Sequence, residues 1–163
     1  MARVLLVGCG CRGREVGRLL LGSGWAVRGT SRRTEGRAAI EAAGIEAAEA
    51  DPDQLGGVVE LLADVSVLVW ALGSATGAGE EIAALHGPRL ESLLAKLVDT
   101  PVRGFIYEAR GGVDDETLAV GRLLVADAAA RWRIPVVIVE EDPADWQASS
   151  AAIAEAVRAV VRQ

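Results

Sequence analysis

The sequence begins with a glycine-rich segment that sets narrow limits on the backbone around it. Gly8, Gly10 and Gly13 lie between an apolar run at residues 3–7 and a helical pattern that begins near Arg12. Glycine tolerates sharp turns and allows other groups to approach the backbone closely. An apolar strand, a glycine turn and a helix in this order predict a βα unit at the start of the chain.

Apolar segments suited to buried strands recur along the chain, with helical patterns between them. The predicted strands are residues 3–7, 26–29, 45–49, 65–71, 104–107 and 135–139. The predicted helices lie near residues 12–22, 34–43, 53–63, 90–98, 120–124 and 153–161. Strands alternating with helices predict a parallel sheet that is covered on both faces. We therefore expect an α/β, three-layer, doubly wound Rossmann fold with a mostly parallel sheet of about six strands.

The composition limits the class of protein and of partner. The chain has 163 residues, 51% of them hydrophobic, which is enough for one domain with its own core, so we predict a single domain over residues 1–163 without a separate substrate domain. Its net charge of −6 argues against a surface for nucleic acid or anionic lipid.

Location and source are expectations from the same composition. No apolar stretch approaches the roughly 18 to 20 residues that cross a bilayer, and Met1 leads directly into a predicted strand, so we expect a cytoplasmic protein. Lys96 is the only lysine beside many arginines, which we interpret as the coding bias of a GC-rich bacterium.

The glycine loop has the spacing Gly-x-Gly-x-x-Gly of a dinucleotide-binding turn. In that role Gly8 permits the turn, Gly10 lets a pyrophosphate approach the backbone, and Gly13 lets the helix pack on the strand. The helix N-terminus offers unpaired N–H groups and a partial positive charge to the phosphates. The alternative is a tight strand-to-helix turn that binds no ligand.

The end of the second predicted strand distinguishes between dinucleotides. An NAD site has an acidic residue about 20 residues beyond the loop, for the ribose hydroxyls. This chain instead has Thr30, Ser31, Arg32 and Arg33 there, and no acidic residue before Glu35. Guanidinium groups suit a 2′-phosphate, so the sequence favours NADP(H) over NAD(H), unless these arginines belong to an ordinary solvated loop.

The chain resembles the atypical short-chain dehydrogenase/reductases, in particular their NAD-dependent epimerase/dehydratase-like members. The resemblance rests on the segments VGCGCRG, GWAVRGTSRR, SVLVWALGS, VRGFIYEA and RWRIPVVIVEEDP. It implies that the segment after the fourth strand lines the cofactor. Asp51 is a candidate neighbour of the adenine or else part of an ordinary Asp-Pro turn. The candidate cofactor-binding residues are Gly8, Cys9, Gly10, Cys11, Arg12, Gly13, Thr30, Ser31, Arg32, Arg33, Asp51, Ala71, Leu72, Gly73 and Ser74.

The resemblance also implies a catalytic Tyr-x-x-x-Lys pair, which this sequence lacks. Tyr107 is the only tyrosine and is followed four residues later by Gly111. The polar residues Tyr107, Glu108 and Arg110 are the candidates for substrate contact or catalysis. Their alternative is a tyrosine at a strand end beside a salt-bridged surface loop.

The remaining polar residues have less specific roles. Cys9 and Cys11 are too few for a metal site without other ligands, so we predict no metal, and a thiol at a helix N-terminus leaves redox sensing open. The sole histidine, His86, is expected at the surface or at a helix end.

Three functions follow from these residues. The first is an NADP(H)-binding protein without the usual catalytic pair, which acts as a cofactor-binding or regulatory module. The second is an active NADPH-dependent reductase of a small substrate. The third is a protein-interaction domain that binds no nucleotide.

The sequence also suggests a homodimer through the leucine stripe that begins at Leu90 and ends at Val98. Exposure of this stripe to solvent would support the homodimer.

Overall fold

The computed structural model describes residues 2–163, which form six strands and seven helices that alternate along most of the chain. In chain order they are β1 (Arg3–Val7), α1 (Cys11–Gly22), β2 (Ala26–Ser31), α2 (Thr34–Ala42), β3 (Glu46–Glu49), α3 (Leu55–Glu60), β4 (Val67–Trp70), α4 (Gly79–Leu85), α5 (Pro88–Leu97), β5 (Phe105–Glu108), α6 (Asp115–Trp132), β6 (Val136–Val139) and α7 (Trp146–Val160).

The strands form one parallel sheet in the order β3-β2-β1-β4-β5-β6. The chain starts in the middle of the sheet, builds outward to β3, and then returns to add β4 on the other side of β1. Val4 therefore pairs with Val27 on one side and with Val67 on the other. The α/β fold class and the six-stranded sheet that the sequence predicts are confirmed.

Helices cover both faces of the sheet because successive side chains of each strand point to opposite faces. Val4 and Leu6 of β1 belong to a core cluster with side chains of α1, α2 and α7. Leu5 and Val7 belong to a second cluster with side chains of α3, α5 and α6. The sheet is therefore the middle of the three predicted layers.

The leucine stripe of α5 faces the core and not the solvent. Its leucines at positions 90, 93, 94 and 97 are all buried in the second cluster, and the neighbouring Val98 is exposed. The leucine stripe from which we predicted a homodimer is therefore packed inside the protein. The homodimer remains a prediction without this support.

The burial pattern of α6 corrects the sequence prediction. In the helix predicted near residues 120–124 the apolar residues Val120 and Leu123 form the predicted buried face, but they are 49% and 72% exposed. The buried face of the helix instead consists of Leu118, Gly121, Val125 and Ala128. A Cβ at Gly121 would overlap the hydroxyl of Tyr107, so the helix lies close to β5 at this glycine. The close approach of α6 to β5 decides which side of this helix is inside.

Several element limits also differ from the prediction. The second strand extends to Ser31, so Thr30 and Ser31 are strand residues, and β5 ends at Glu108. The third helix covers only Leu55–Glu60 of the predicted 53–63. Helix α4 was not predicted, because seven residues are too few to show a helical stripe.

Candidate functional site

Two of the three loop glycines are required by the packing of the chain against itself. Gly8 has a φ of +96°, and a Cβ there would overlap the carbonyl oxygen of Ala71. A Cβ at Gly13 would lie 2.7 Å from the carbonyl oxygen of Gly8. These two glycines hold the end of β1 against β4 and the start of α1.

Gly10 is different, because nothing in the chain requires a glycine there. Its φ of −80° is available to any residue, and a Cβ at this position would meet no atom within 4 Å. Gly10 is exposed, lines a cleft and precedes α1, whose N-terminus has no capping side chain. The start of α1 therefore follows a residue of the cleft, and no side chain caps its first N–H groups, which suits a bound phosphate.

The cleft has a volume of about 390 Å³ and lies at the carboxyl ends of β1 to β4. Seven candidate cofactor-binding residues line it: Gly8, Gly10, Thr30, Ser31, Arg32, Asp51 and Leu72. Strand order reverses between β1 and β4, and open parallel sheets bind ligands at this point.

The far wall of the cleft consists of residues that sequence reasoning missed. They come from the loop after β3, the loop after β4 and helix α4, and are Ala50, Pro52, Asp53, Ala75, Thr76, Glu81, Ile82 and Leu85. No motif marks them, because they lie on two loops and on a short helix that lacks an apolar stripe of useful length.

A second cleft of about 530 Å³ adjoins the first and contains the arginine turn. Arg32 lines both clefts, and Arg33 lines the second together with Glu49 and Asp51. Both arginines are exposed, and within residues 2–163 neither forms an ion pair. Two guanidinium groups therefore remain available to an anion.

The two carboxylates beside them are partly occupied. Glu49 lies 3.9 Å from a guanidinium nitrogen of Arg37, and Oδ1 of Asp51 accepts a hydrogen bond of 2.9 Å from the N–H of Asp53. The Arg33 N–H donates to Oγ of Ser31 at 3.2 Å, so that hydroxyl helps to shape the turn.

Arg12 and Glu108 meet at the other end of the site. Oε2 of Glu108 forms an ion pair with Arg12, and Oε1 accepts a hydrogen bond of 2.9 Å from the N–H of Gly73. Glu108 is 4% exposed, and burial raises the pKa of its carboxyl while Arg12 opposes that rise. The side chain of Arg12 and the N–H of Gly73 are thus already engaged.

Tyr107 does not reach the site, because its side chain is buried on the α6 side of the sheet. Its hydroxyl lies 2.6 Å from Nδ1 of His86, and Nε2 of His86 lies 3.0 Å from the carbonyl oxygen of Leu72. The carbonyl only accepts, so Nε2 donates to it and Nδ1 accepts from Tyr107. Burial raises the pKa of Tyr107. The suggestion of a substrate contact at Tyr107 is corrected: this is a core residue.

His86 ends α4, as the sequence suggested, but it is fully buried and not at the surface. Arg110 is exposed on the loop after β5, with one guanidinium nitrogen 3.4 Å from the carbonyl oxygen of Glu140 and another 3.4 Å from a carboxylate oxygen of Asp142. This is the salt-bridged surface loop that the sequence left as the alternative.

The two cysteines have different environments. Cys9 is buried, and burial raises the pKa of its thiol to about 11. Its sulfur packs against Gly29, where a Cβ would lie 2.6 Å from it. Cys11 is exposed at the start of α1. Cys9 therefore fills the core beneath the loop and is protonated at neutral pH.

The segment after β4 has mixed roles. The Ala71 N–H donates to the carbonyl oxygen of Val7 at 2.8 Å, and Oγ of Ser74 accepts from the N–H of Gly112 at 3.3 Å. Of the four candidates from 71 to 74, Leu72 alone lines the cleft.

Within residues 2–163 no helix is long and apolar enough to cross a membrane. In the same residues no cluster of three or more His, Cys, Asp or Glu side chains is placed to hold a metal.

Comparison with known proteins gives structural neighbours only. No family model and no curated protein sequence matches the chain. A short-chain dehydrogenase from Streptomyces avermitilis aligns at a TM-score of 0.71 with 22% identity, over 96% of this chain and 84% of that one. UDP-glucuronic acid 4-epimerase from Bacillus cereus, solved in complex with NAD, aligns at 0.70 with 17% identity, over 86% and 56%.

A third neighbour is the triphenylmethane reductase of a Citrobacter species, complexed with NADP(H), at a TM-score of 0.62 and 18% identity, over 83% of this chain and 48% of that one. The chain thus spans about half the length of this reductase and of the epimerase. The chain has the Rossmann fold that is shared by short-chain dehydrogenases and NAD-dependent epimerase/dehydratase proteins.

Proposed function

We propose that this protein binds NADP(H) in the cleft beside the glycine loop and acts as a cofactor-binding or regulatory module without the Tyr-x-x-x-Lys pair. The observation that carries the proposal is Gly10. Its open surroundings at an uncapped helix N-terminus are not explained by the packing of the protein, and a ligand lying against the backbone would explain them.

The residues present fit the dinucleotide. The N–H groups at the start of α1, including those of Cys11 and Gly13, would hold the pyrophosphate. Arg32 and Arg33 would hold the 2′-phosphate, with Thr30 and Ser31 beside the ribose and Asp51 beside the adenine. Leu72 would contact the cofactor from the segment after β4, with Cys9 supporting the loop from the core.

The charge around the arginine turn supports NADP(H) over NAD(H). Two unpaired guanidinium groups adjoin the cleft, and Arg37 offsets the charge of Glu49. Only a ligand with a phosphate at this position would use both arginines.

The absence of turnover is part of the proposal. A bound nicotinamide supplies hydride transfer, and the protein must supply a group that moves the proton. The only tyrosine is buried and bonded to His86, and Lys96 lies on α5, whose apolar face packs into the core. Neither side chain lines the cleft.

The test is calorimetric titration of the purified, cofactor-stripped protein with NADPH and separately with NADH. We expect NADPH to bind more tightly by at least about tenfold, and the preference to vanish in Arg32→Ala/Arg33→Ala. The matched control is Arg103→Ala/Arg162→Ala, which removes the same charge from two exposed arginines outside the cleft. Equal binding of NADH would contradict the phosphate assignment, and binding of neither would overturn the proposed function.

A further inference from the structure

The crevice of this fold is only half open. A sheet of order 3-2-1-4-5-6 consists of two mononucleotide-binding halves, and a dinucleotide lies across the point where the order reverses. Every residue lining the two clefts of the site precedes His86 in the chain, so within residues 2–163 neither cleft extends over β5 or β6.

The buried side chain of Glu108 lies at the end of β5, in the half of the crevice over β4 and β5. Its two carboxylate oxygens are bonded to Arg12 and to the N–H of Gly73, and together they join α1, the loop after β4 and the end of β5. The side chains of Arg12 and Glu108 are 16% and 5% exposed. Separating a buried ion pair leaves a charge without a partner, which is strongly destabilising.

The backbones around this ion pair are in contact as well. The N–H of Val113 donates to the carbonyl oxygen of Gly73 at 3.0 Å, and the N–H of Gly112 donates to Oγ of Ser74 at 3.3 Å. A Cβ at Gly111 would overlap the Gly73 carbonyl. The loops that follow β4 and β5 are therefore in direct contact with each other at these residues.

We propose that the site recognises the adenosine 2′-phosphate half of its ligand and gives the nicotinamide half no binding surface. This inference rests on the proposed function and defines its ligand class as compounds of adenosine 2′-phosphate 5′-diphosphate, of which NADP(H) is one. The open half holds the helix N-terminus and both free arginines, whereas the closed half holds the Arg12–Glu108 pair. A protein of this design responds to the total of NADPH and NADP⁺ and not to their ratio.

The experiment is a set of calorimetric titrations of the full chain with NADPH, NADP⁺ and 2′-phospho-ADP-ribose, which keeps the pyrophosphate and lacks the nicotinamide. We expect the three dissociation constants to agree within about threefold. An NADPH affinity at least about thirtyfold above that of 2′-phospho-ADP-ribose would overturn the inference and leave the proposed function standing. Binding of none of the three would overturn both.

A second measurement reads the nicotinamide directly. The dihydronicotinamide emission of NADPH is excited with the protein in excess and is quenched with acrylamide. We expect the quenching constant of bound NADPH to equal that of free NADPH, because the ring remains in water. A clearly smaller constant for the bound form would show a buried ring and would contradict the inference.

Discussion

The hydroxyl of Tyr107 donates a buried hydrogen bond to Nδ1 of His86, with the two atoms 2.6 Å apart. The same imidazole donates from Nε2 to the carbonyl oxygen of Leu72 at 3.0 Å. These two bonds connect β5 and the end of α4 to the loop that lines the cleft. The only tyrosine and the only histidine of the chain therefore support the site from within the core.

Replacing Tyr107 by Phe should destabilise the protein without affecting the cleft. The change leaves Nδ1 of His86 without a donor inside the core, which costs about 1–3 kcal/mol. Urea unfolding measures this loss, and NADPH titration of the same variant should give the wild-type affinity. A large loss of affinity at unchanged stability would instead place the hydroxyl in the binding site.

The free energy of unfolding should fall in weak acid because of His86. Burial lowers the pKa of His86 below its ordinary value of 6.5, although its bond to Leu72 and the charge of Asp114 act in the other direction. The unfolded chain therefore binds this proton more readily. The contribution of neutral His86 to the free energy of unfolding is fully present above pH 6.5. It is lost as the pH falls from 6.5 toward the pKa of His86 in the folded protein.

The measurement for His86 is urea unfolding of the wild type and His86→Gln between neutral pH and weak acid. The stability difference between them should be constant above pH 6.5 and should shrink below it. Burial raises the pKa of Glu108, so Glu108 changes the stability with pH in the opposite direction. Its effect cancels in the comparison because both proteins contain Glu108. A difference that does not change with pH would contradict a buried neutral His86.

Two glycines of the loop should respond to alanine in opposite ways. Gly8→Ala should cost at least about 1–3 kcal/mol, because its φ is +96° and its Cβ would overlap Ala71. Gly10→Ala should leave the stability within about 1 kcal/mol of wild type, since its Cβ enters open space. It should still weaken NADPH binding by at least about tenfold.

Thermal unfolding and calorimetry of the two glycine variants separate these effects. Gly22→Ala serves as a control, because its Cβ also meets open space but lies at the far end of α1. Unchanged NADPH affinity in Gly10→Ala would remove the main support for a bound pyrophosphate.

A thiol reagent should modify one of the two cysteines in the folded protein. Cys9 is buried and its pKa is raised to about 11, so little thiolate forms at neutral pH, whereas Cys11 is exposed. Iodoacetamide treatment followed by mass spectrometry should locate the label on Cys11. Cys11→Ser should remain unlabelled until the protein is unfolded, and rapid labelling of Cys9 in that variant would contradict its burial.

Local patterns in the sequence were enough to predict the order of the elements. The bounds of β1 are those predicted, and the alternation of apolar strands with helices predicts the parallel sheet. The glycine loop is also readable from sequence, because its geometry depends on residues only a few positions apart. The arginine turn after β2 can be located for the same reason.

Long-range packing decided the rest. Periodicity shows that Leu90 and Leu97 share a helix face, but only the sheet beneath them decides that this face is inside. Gly121 admits α6 so closely to Tyr107 that Leu123 is left in solvent.

The sequence by itself determined the fold class, the glycine loop and the position of the arginines, because these depend on neighbouring residues. The tertiary structure decided the pairing of Arg12 with Glu108, which are 96 residues apart. The reversal of strand order brings α1 to the end of β5, and no local pattern encodes that meeting. The half of the crevice that stays open is therefore a property of the folded chain, since long-range contacts close the other half.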